Sequence, residues 1–261
     1  MSLTGKSPSE TYKDIAYVDN SNNGVTTSLK VIKTGEGSSS SLSVSDRALQ
    51  VKSATNNTTA LDIQNASGSS KLSVDTTNSY VKANGVHVHT MYKEFGLYDF
   101  SPATGYHYGM IANNMMASSG GDAFAGHVAW GNGADPATTV DVSGHGTYIV
   151  NGLPSYWYVM DAIYIDQIRV TATCNSSENL NFHVFSYDLD TSSNHGDLSN
   201  GTLIAHIGSV MAATNTTIKT DTLTIDSADI AANKILVAFV ENEDGTGDVT
   251  CQLNIKYHIT G

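Results

Sequence analysis

The chain has 261 residues, 25 acidic against 13 basic, a formal charge of −12 and only 15% charged side chains. Such acidity excludes nonspecific wrapping of nucleic acid, which requires a basic footprint on the phosphates, and says nothing against uncharged glycans. No long apolar run is present, so no membrane insertion is expected. The opening "MSLTGKSPSETYKD" has no apolar core of a signal peptide, so synthesis in a cytoplasm is expected.

Residues 1–26 read as a docking or terminal segment. "SPSETYKD" has the composition of a short helical turn with Ser7 or Ser9 at its N-cap. "IAYVD" alternates as a strand does, and "DNSNNG" is a turn. Such an end serves equally as a peg inserted into another protein or as a frayed terminus.

Residues 27–86 repeat one short motif. "SLKV", "SLSV" and "ALQV" are followed by "ALDI", "KLSV" and "YVKA", each with two apolar side chains around a polar one. Residues 28–51 and 60–83 therefore form one three-strand unit used twice, with Gly, Ser, Asp or Asn at the connections. Alternation predicts that the apolar pairs share one side, with Lys30, Ser43, Gln50, Asp62 and Ser73 on the other.

About six apolar side chains per unit, at about 1.5–3 kcal/mol each when fully buried, do not offset ordering costs of about 1–2 kcal/mol per residue. Self-association resolves the deficit. A parallel homotrimer is expected, with Leu29, Val31, Leu42, Val44, Leu61, Ile63, Leu72 and Val74 facing the threefold axis or a neighbouring chain. The alternative is a disordered Ser/Thr-rich linker, but a linker has no reason to keep Leu-x-Val/Ile at matched spacing.

Residues 87–261 have longer apolar strands, including "YWYVMDAIYIDQIRVTATC" (156–174), "NLNFHVFSYDL" (179–189), "KILVAFVEN" (234–242) and "VTCQLNIKYHI" (249–259). With "GHVAW" near Gly126 and "TYIVN" from Thr147, about eight strands separated by turn signals predict an all-β domain, an antiparallel sandwich of jelly-roll type. "SADIAANK" (227–234) is at most one helical turn. Cys174 and Cys251 do not make a disulfide framework and are expected to be buried thiols, with a bridge between neighbouring strands as the alternative.

The stretches "LTGKSPSETYKDIAYVDNSNNGVTTSLKVIKTGEGSSSSLSVSDRALQVK" (3–52) and "TTALDIQNASGSSKLSVDTT" (58–77) resemble the N-terminal and shaft regions of phage trimeric fibre-like structural proteins. These are the tail-fibre-like and head-fibre-like proteins of aquatic tailed phages. The resemblance implies a homotrimer on the virion, an N-terminal segment docked on another virion protein, a β shaft and a distal β-sandwich. It covers the first 85 or so residues. It leaves two places open, a tail fibre or spike that attaches to a host-surface glycan, and a capsid-surface head fibre or decoration protein without a receptor role.

No catalytic residues and no cofactor are expected. Asp161 and Asp166 lie five apart on a predicted strand and so on opposite faces, whereas a glycosidase needs its carboxylates paired across the substrate. Asp188 and Asp190 share a face at a strand end. Ser143 and His145 in "DVSGHG" lack an orienting acid and nucleophile-elbow spacing. A polysaccharide-cleaving spike therefore ranks last. His87 and His89 in "GVHVHT" are weak metal candidates, set on one side of a strand and convergent only in a trimer. "ENEDGTGD" (241–248) groups carboxylates with glycines but lacks the EF-hand order of ligands. Tyr and Trp offer flat faces with a polar handle, which suits stacking on sugars. Tyr106, Tyr108, Tyr156 and Trp157, read as loop residues, are the receptor-binding candidates.

Overall fold

The computed structural model describes residues 16–21, 23–112, 129–140, 155–191, 197–245 and 247–260. Every regular element among them is a β-strand, and none is a helix long and apolar enough to cross a membrane. The chain divides into two compact units, Met1–Val88 and His89–Gly261. The N-terminal "SPSETYKD" turn and the segments containing "GHV", "TYIVN", Ser143 and His145 lie outside the described residues.

The first unit holds two antiparallel four-stranded meanders. One comprises β1 (Tyr17–Val18), β2 (Lys30–Lys33), β3 (Ser39–Val44) and β4 (Leu49–Val51). The other comprises β5 (Leu61–Gln64), β6 (Ser70–Asp75), β7 (Tyr80–Ala83) and β8 (Val86–His87). Each predicted three-strand unit is thus present and gains one short strand. The turns explain the Asn, Ser and Gly content. Asn65 Oδ1 accepts the backbone N–H groups of Ser67 (3.2 Å) and Ser69 (2.8 Å), an Asx device that closes the chain locally. Asn84 and Gly85, at φ 50° and 79°, make the two-residue turn from β7 to β8, the mirror-image geometry that matches strand twist.

Cross-strand partners lie on the same face of a sheet. In the second meander Leu61 faces Val74, which faces Val81, and Ile63 faces Leu72, which faces Ala83. The predicted apolar side is therefore intact there. In the first meander it is broken. Leu42 pairs with Val51 and Val44 with Leu49, but Val31 pairs with Ser43 and Lys30 with Val44. Val31 thus sits opposite Val44 in facing, and Ser43, expected on the polar side away from it, is buried beside it at 9% exposure. A register shift between Val31 and Lys33 marks the irregular pairing of β2 with β3.

The second unit is built from β9 (Thr90–Phe100), β10 (His107–Gly109), β11 (Ile111–Ala112), β12 (Trp157–Val159), β13 (Ile163–Cys174) and β14 (Glu178–Asp190), followed by β15 (Asp197–His206) and β16 (Met211–Ala213). The short strands β17 (Lys219–Thr222), β18 (Thr224–Ile225) and β19 (Asp229–Ile230) precede β20 (Lys234–Asn242) and β21 (Val249–Ile259). One antiparallel sheet of six strands runs β11-β9-β21-β13-β17, with β19 against β13. The other, of seven, runs β10-β20-β14-β15-β18, with β12 against β20 and β16 against β14. "SADIAANK" contributes β19 and no helix.

The two sheets share one core. Phe95 and Leu97 of β9, Ile165, Ile168 and Val170 of β13, and Leu253 and Ile255 of β21 come from the six-stranded sheet. They pack with Leu180, Phe182, Val184, Leu236, Ala238 and Val240 of the seven-stranded sheet. Alternation in β13 and β21 delivers these residues to one side and leaves polar residues on the other, as one solvated face requires. A bulge at Asp166 interrupts β13, so that Ile165 and Ile168 both point inward although three positions apart.

The seven-stranded sheet is covered on its other face as well. Trp130 and Val140, from the segment 129–140, pack with Phe185, Tyr187, Leu198, Ile235, Val237 and Phe239. Tyr187 Oη donates to the Ala137 carbonyl (2.9 Å), and Gly201 N–H to the Thr138 carbonyl (2.8 Å). This second layer explains why β20, "KILVAFVEN", is buried at every position after its first. A strand enclosed on both faces has no reason to alternate.

Candidate functional site

In the first unit the apolar residues have no inner layer to enter. Ser43 is the one buried residue among the described positions 16–88. Leu29 is 41% exposed, Leu49 66% and Ile63 50%, while Val31, Leu42, Val44, Leu61, Leu72 and Val74 are half-buried. An apolar sheet face in this condition is an unfinished core.

The four aromatic candidates do not form one surface. Tyr106 is 40% exposed. Tyr108 lies in β10 rather than in a loop and meets Phe100 edge to face at 5.1 Å. Tyr156 packs against Trp130 at 5.8 Å, on the covered face of the seven-stranded sheet; burial pushes its hydroxyl pKa up. Trp157 opens β12 and turns the opposite way, against Tyr257 at 4.9 Å, with Lys93 Nζ 5.6 Å from its ring. Tyr158, on the face of Tyr156, is 45% exposed and donates to Asn233 Oδ1 (2.7 Å).

His87 packs edge-on against Tyr80 at 4.5 Å. Strand β8 ends at His87, so the alternation that was to put His89 on the same side does not reach it. Among the described residues no three His, Cys, Asp or Glu side chains are grouped to hold a metal ion. The acidic "ENEDGTGD" hairpin is tied to amide donors. Glu178 accepts from Gly247 N–H (3.0 Å) and Asn242 Nδ2 (2.9 Å). Asp244 accepts from Asn179 Nδ2 and Asp248 from Asn175 Nδ2, each at 2.6 Å. Asp161 lies between β12 and β13 rather than on a strand. Asp166, at the bulge, meets His258 Nδ1 at 3.1 Å, and Asp188 pairs with Lys234 at 2.5 Å.

Sequence reasoning missed a row of histidines on the outer face of the seven-stranded sheet. His107 pairs with Glu241, Glu241 with Asn181, and His183 with both Phe239 and His206. Each histidine has a carboxylate nearby: His107 Nε2 to Glu241 is 3.4 Å, His183 Nε2 to Asp135 is 3.5 Å, and His206 Nδ1 to Asp226 is 2.7 Å. His107 and His183 are buried, with ring centroids 5.0 Å apart. Among the described residues, neither nitrogen of His107 has a hydrogen-bond partner, nor has Nδ1 of His183. Burial, with the neighbouring His107 and His206, pulls the His183 pKa down to about 3, and burial also lowers that of His107. Burial raises the Glu241 carboxyl. At neutral pH both enclosed imidazoles are uncharged. The signal was present in the alternation of "NFHVFSY", which sets His183, Phe185 and Tyr187 on one face.

No family model matches the chain, and no curated protein does. Among solved structures, a chain in the structure of the infectious bursal disease virus Gx strain is similar over 69% of this chain and 35% of that one, at 10% identity and a TM-score of 0.27. The matched region thus spans about a third of that viral chain, and a superposition this loose carries no argument about function.

Proposed function

We propose that this protein is a homotrimeric structural projection of a virion, most at home as a capsid-surface fibre or decoration protein. The carrying observation is the apolar face of the first unit, left half-covered in a single chain, with Ile63 and Leu49 at least half exposed. Three copies turning that face toward a common axis give it the layer it lacks. The resemblance of residues 3–52 and 58–77 to phage fibre-like proteins supports the same reading. On it, the N-terminal segment docks on another virion protein and the sandwich, jelly-roll-like, is the distal part.

Capsid decoration is preferred to a tail fibre for a specific reason. Receptor attachment through aromatic stacking requires Tyr106, Tyr108, Tyr156 and Trp157 to act together, and Tyr156 and Trp157 are spent on opposite sides of the seven-stranded sheet. The test has two parts. Light scattering of the purified chain at micromolar concentration is expected to give a trimer; a monodisperse monomer overturns the assembly. Counting copies per virion is expected to give many, spread over the shell. A few multiples of three at one end place the protein on the tail instead.

A further inference from the structure

The outer face of the six-stranded sheet is polar and open to solvent along three strands, and its charges are unusual for this chain. Pairing sets Tyr92 of β9 beside Lys256 of β21, which lies beside Gln167 of β13. In the next row Glu94 stands beside Asn254, which lies beside Arg169. Tyr92, Gln167, Arg169, Asn254 and Lys256 line a shallow depression of about 220 Å³. Tyr92 is 67% exposed.

Acidic groups on the same face are Glu94 of β9, Asp166 at the β13 bulge and Asp229 of β19, the last beside Tyr164. Glu94 is engaged by another group. Asp166, at the bulge, is occupied by His258 Nδ1 at 3.1 Å. Neither Arg169 nor Lys256 has an ion-pair partner among the described residues. Two cations without an ion-pair partner among the described residues thus stand on adjacent strands in a chain of net charge −12, between two amide side chains and a flat phenol ring.

We propose that this face binds an acidic polysaccharide, one carrying carboxylates on its sugar units. The guanidinium of Arg169 offers a planar fork matched to a carboxylate, and Lys256 adds a point charge. Gln167 and Asn254 each supply donors and an acceptor for sugar hydroxyls. Tyr92 supplies a stacking face with a polar tip. A depression this size is smaller than pockets that enclose drug-sized ligands, and suits one sugar unit of a chain lying along the sheet. The acidity of the rest of the chain opposes a polyanion only weakly at this face, since charges beyond about 8 Å are largely screened at physiological salt. The site does not depend on trimer formation, although three copies on one shaft would add avidity.

The test is binding of the full chain to polygalacturonate, with dextran as the neutral counterpart, followed by biolayer interferometry at physiological and at high salt. Binding to polygalacturonate that weakens with salt, and none to dextran, is expected. Arg169→Gln, Lys256→Gln and Tyr92→Ala are each expected to weaken it about tenfold, a change of the size of one charge-assisted contact. Lys52→Gln, an exposed lysine of the first unit, is expected to change nothing. Melting temperatures unchanged in all four variants show that folding is intact, because none of these side chains enters the core. The proposal is overturned if neither polymer binds, if dextran binds as well as polygalacturonate, or if Arg169→Gln and Lys256→Gln bind like the wild type.

Discussion

The two units of this chain use the same type of strand to opposite ends. In the first unit two meanders present apolar side chains on a face with no second layer, and Ser43 is the one described residue that becomes buried. In the second, longer and more apolar strands bury Phe95, Ile168, Leu180, Phe182, Val184, Leu253 and Ile255 to 0% exposure. What separates them is the number of layers. A sheet with one neighbour makes a core, the seven-stranded sheet with two makes a core on each face, and a sheet with none leaves its apolar side chains half-buried. Within one chain, therefore, the second unit has a core of its own and the first does not.

The comparison is broken most severely by attacking the first unit. Ile63→Asp with Leu72→Asp places charges on the apolar face, where burial of an unpaired carboxylate is costly. Complete loss of the trimer is expected in light scattering, while the circular dichroism of the second unit's strands persists. A variant that remains trimeric would show that association does not run through this face.

The complementary cut is Phe182→Ala, in the centre of β14 at 0% exposure. A cost of about 3–5 kcal/mol is expected, measured as a fall in the urea midpoint of the cooperative transition. If the second unit did not fold on its own core, this variant would affect oligomer mass as strongly as stability.

Acid sharpens the comparison. The folded state holds His183 neutral down to about 3, whereas an unfolded histidine takes up a proton near 6.5. The unfolded state therefore binds more protons across that window. His183 costs nothing above pH 6.5, and the second unit loses stability as pH falls from there toward about 3. Urea midpoints measured at several pH values are expected to slope less in His183→Gln. The first unit has no buried histidine among its described residues and is expected to lack this response. The smallest effect belongs to the surface. Lys234→Met removes a partly exposed pair with Asp188 and is expected to cost less than about 1 kcal/mol in thermal unfolding.

Legibility in the sequence followed the same division by layers. The spacing of Leu61, Ile63, Leu72 and Val74 carried their strands and their shared face, because alternation with regular pairing leaves one arrangement. Val31 escaped, since a register shift between β2 and β3 is not written in side-chain type. Tyr106 and Tyr108 read as loop residues, yet the stretch 96–110 supplies the last five residues of β9 and all of β10; its glycines hid the strands. The aromatic candidates failed to converge for a related reason. Alternation separates Tyr156 from Trp157 but cannot reveal that both faces of their sheet are covered. The histidine row needed pairings between β10, β20, β14 and β15, which join positions far apart in the chain.

Cys174 and Cys251 are both free and buried on neighbouring strands. Burial pushes the Cys174 thiol up to about 11 and raises that of Cys251 further. Alkylating reagents act on thiolates, so in the folded protein these two sulfurs are silent. A single cysteine introduced on the solvent side, for example at Lys52 or Gln252, becomes the one addressable thiol without removing either native residue. The molecule is in this sense already prepared for site-specific fluorophores, spin labels or coupling to a surface.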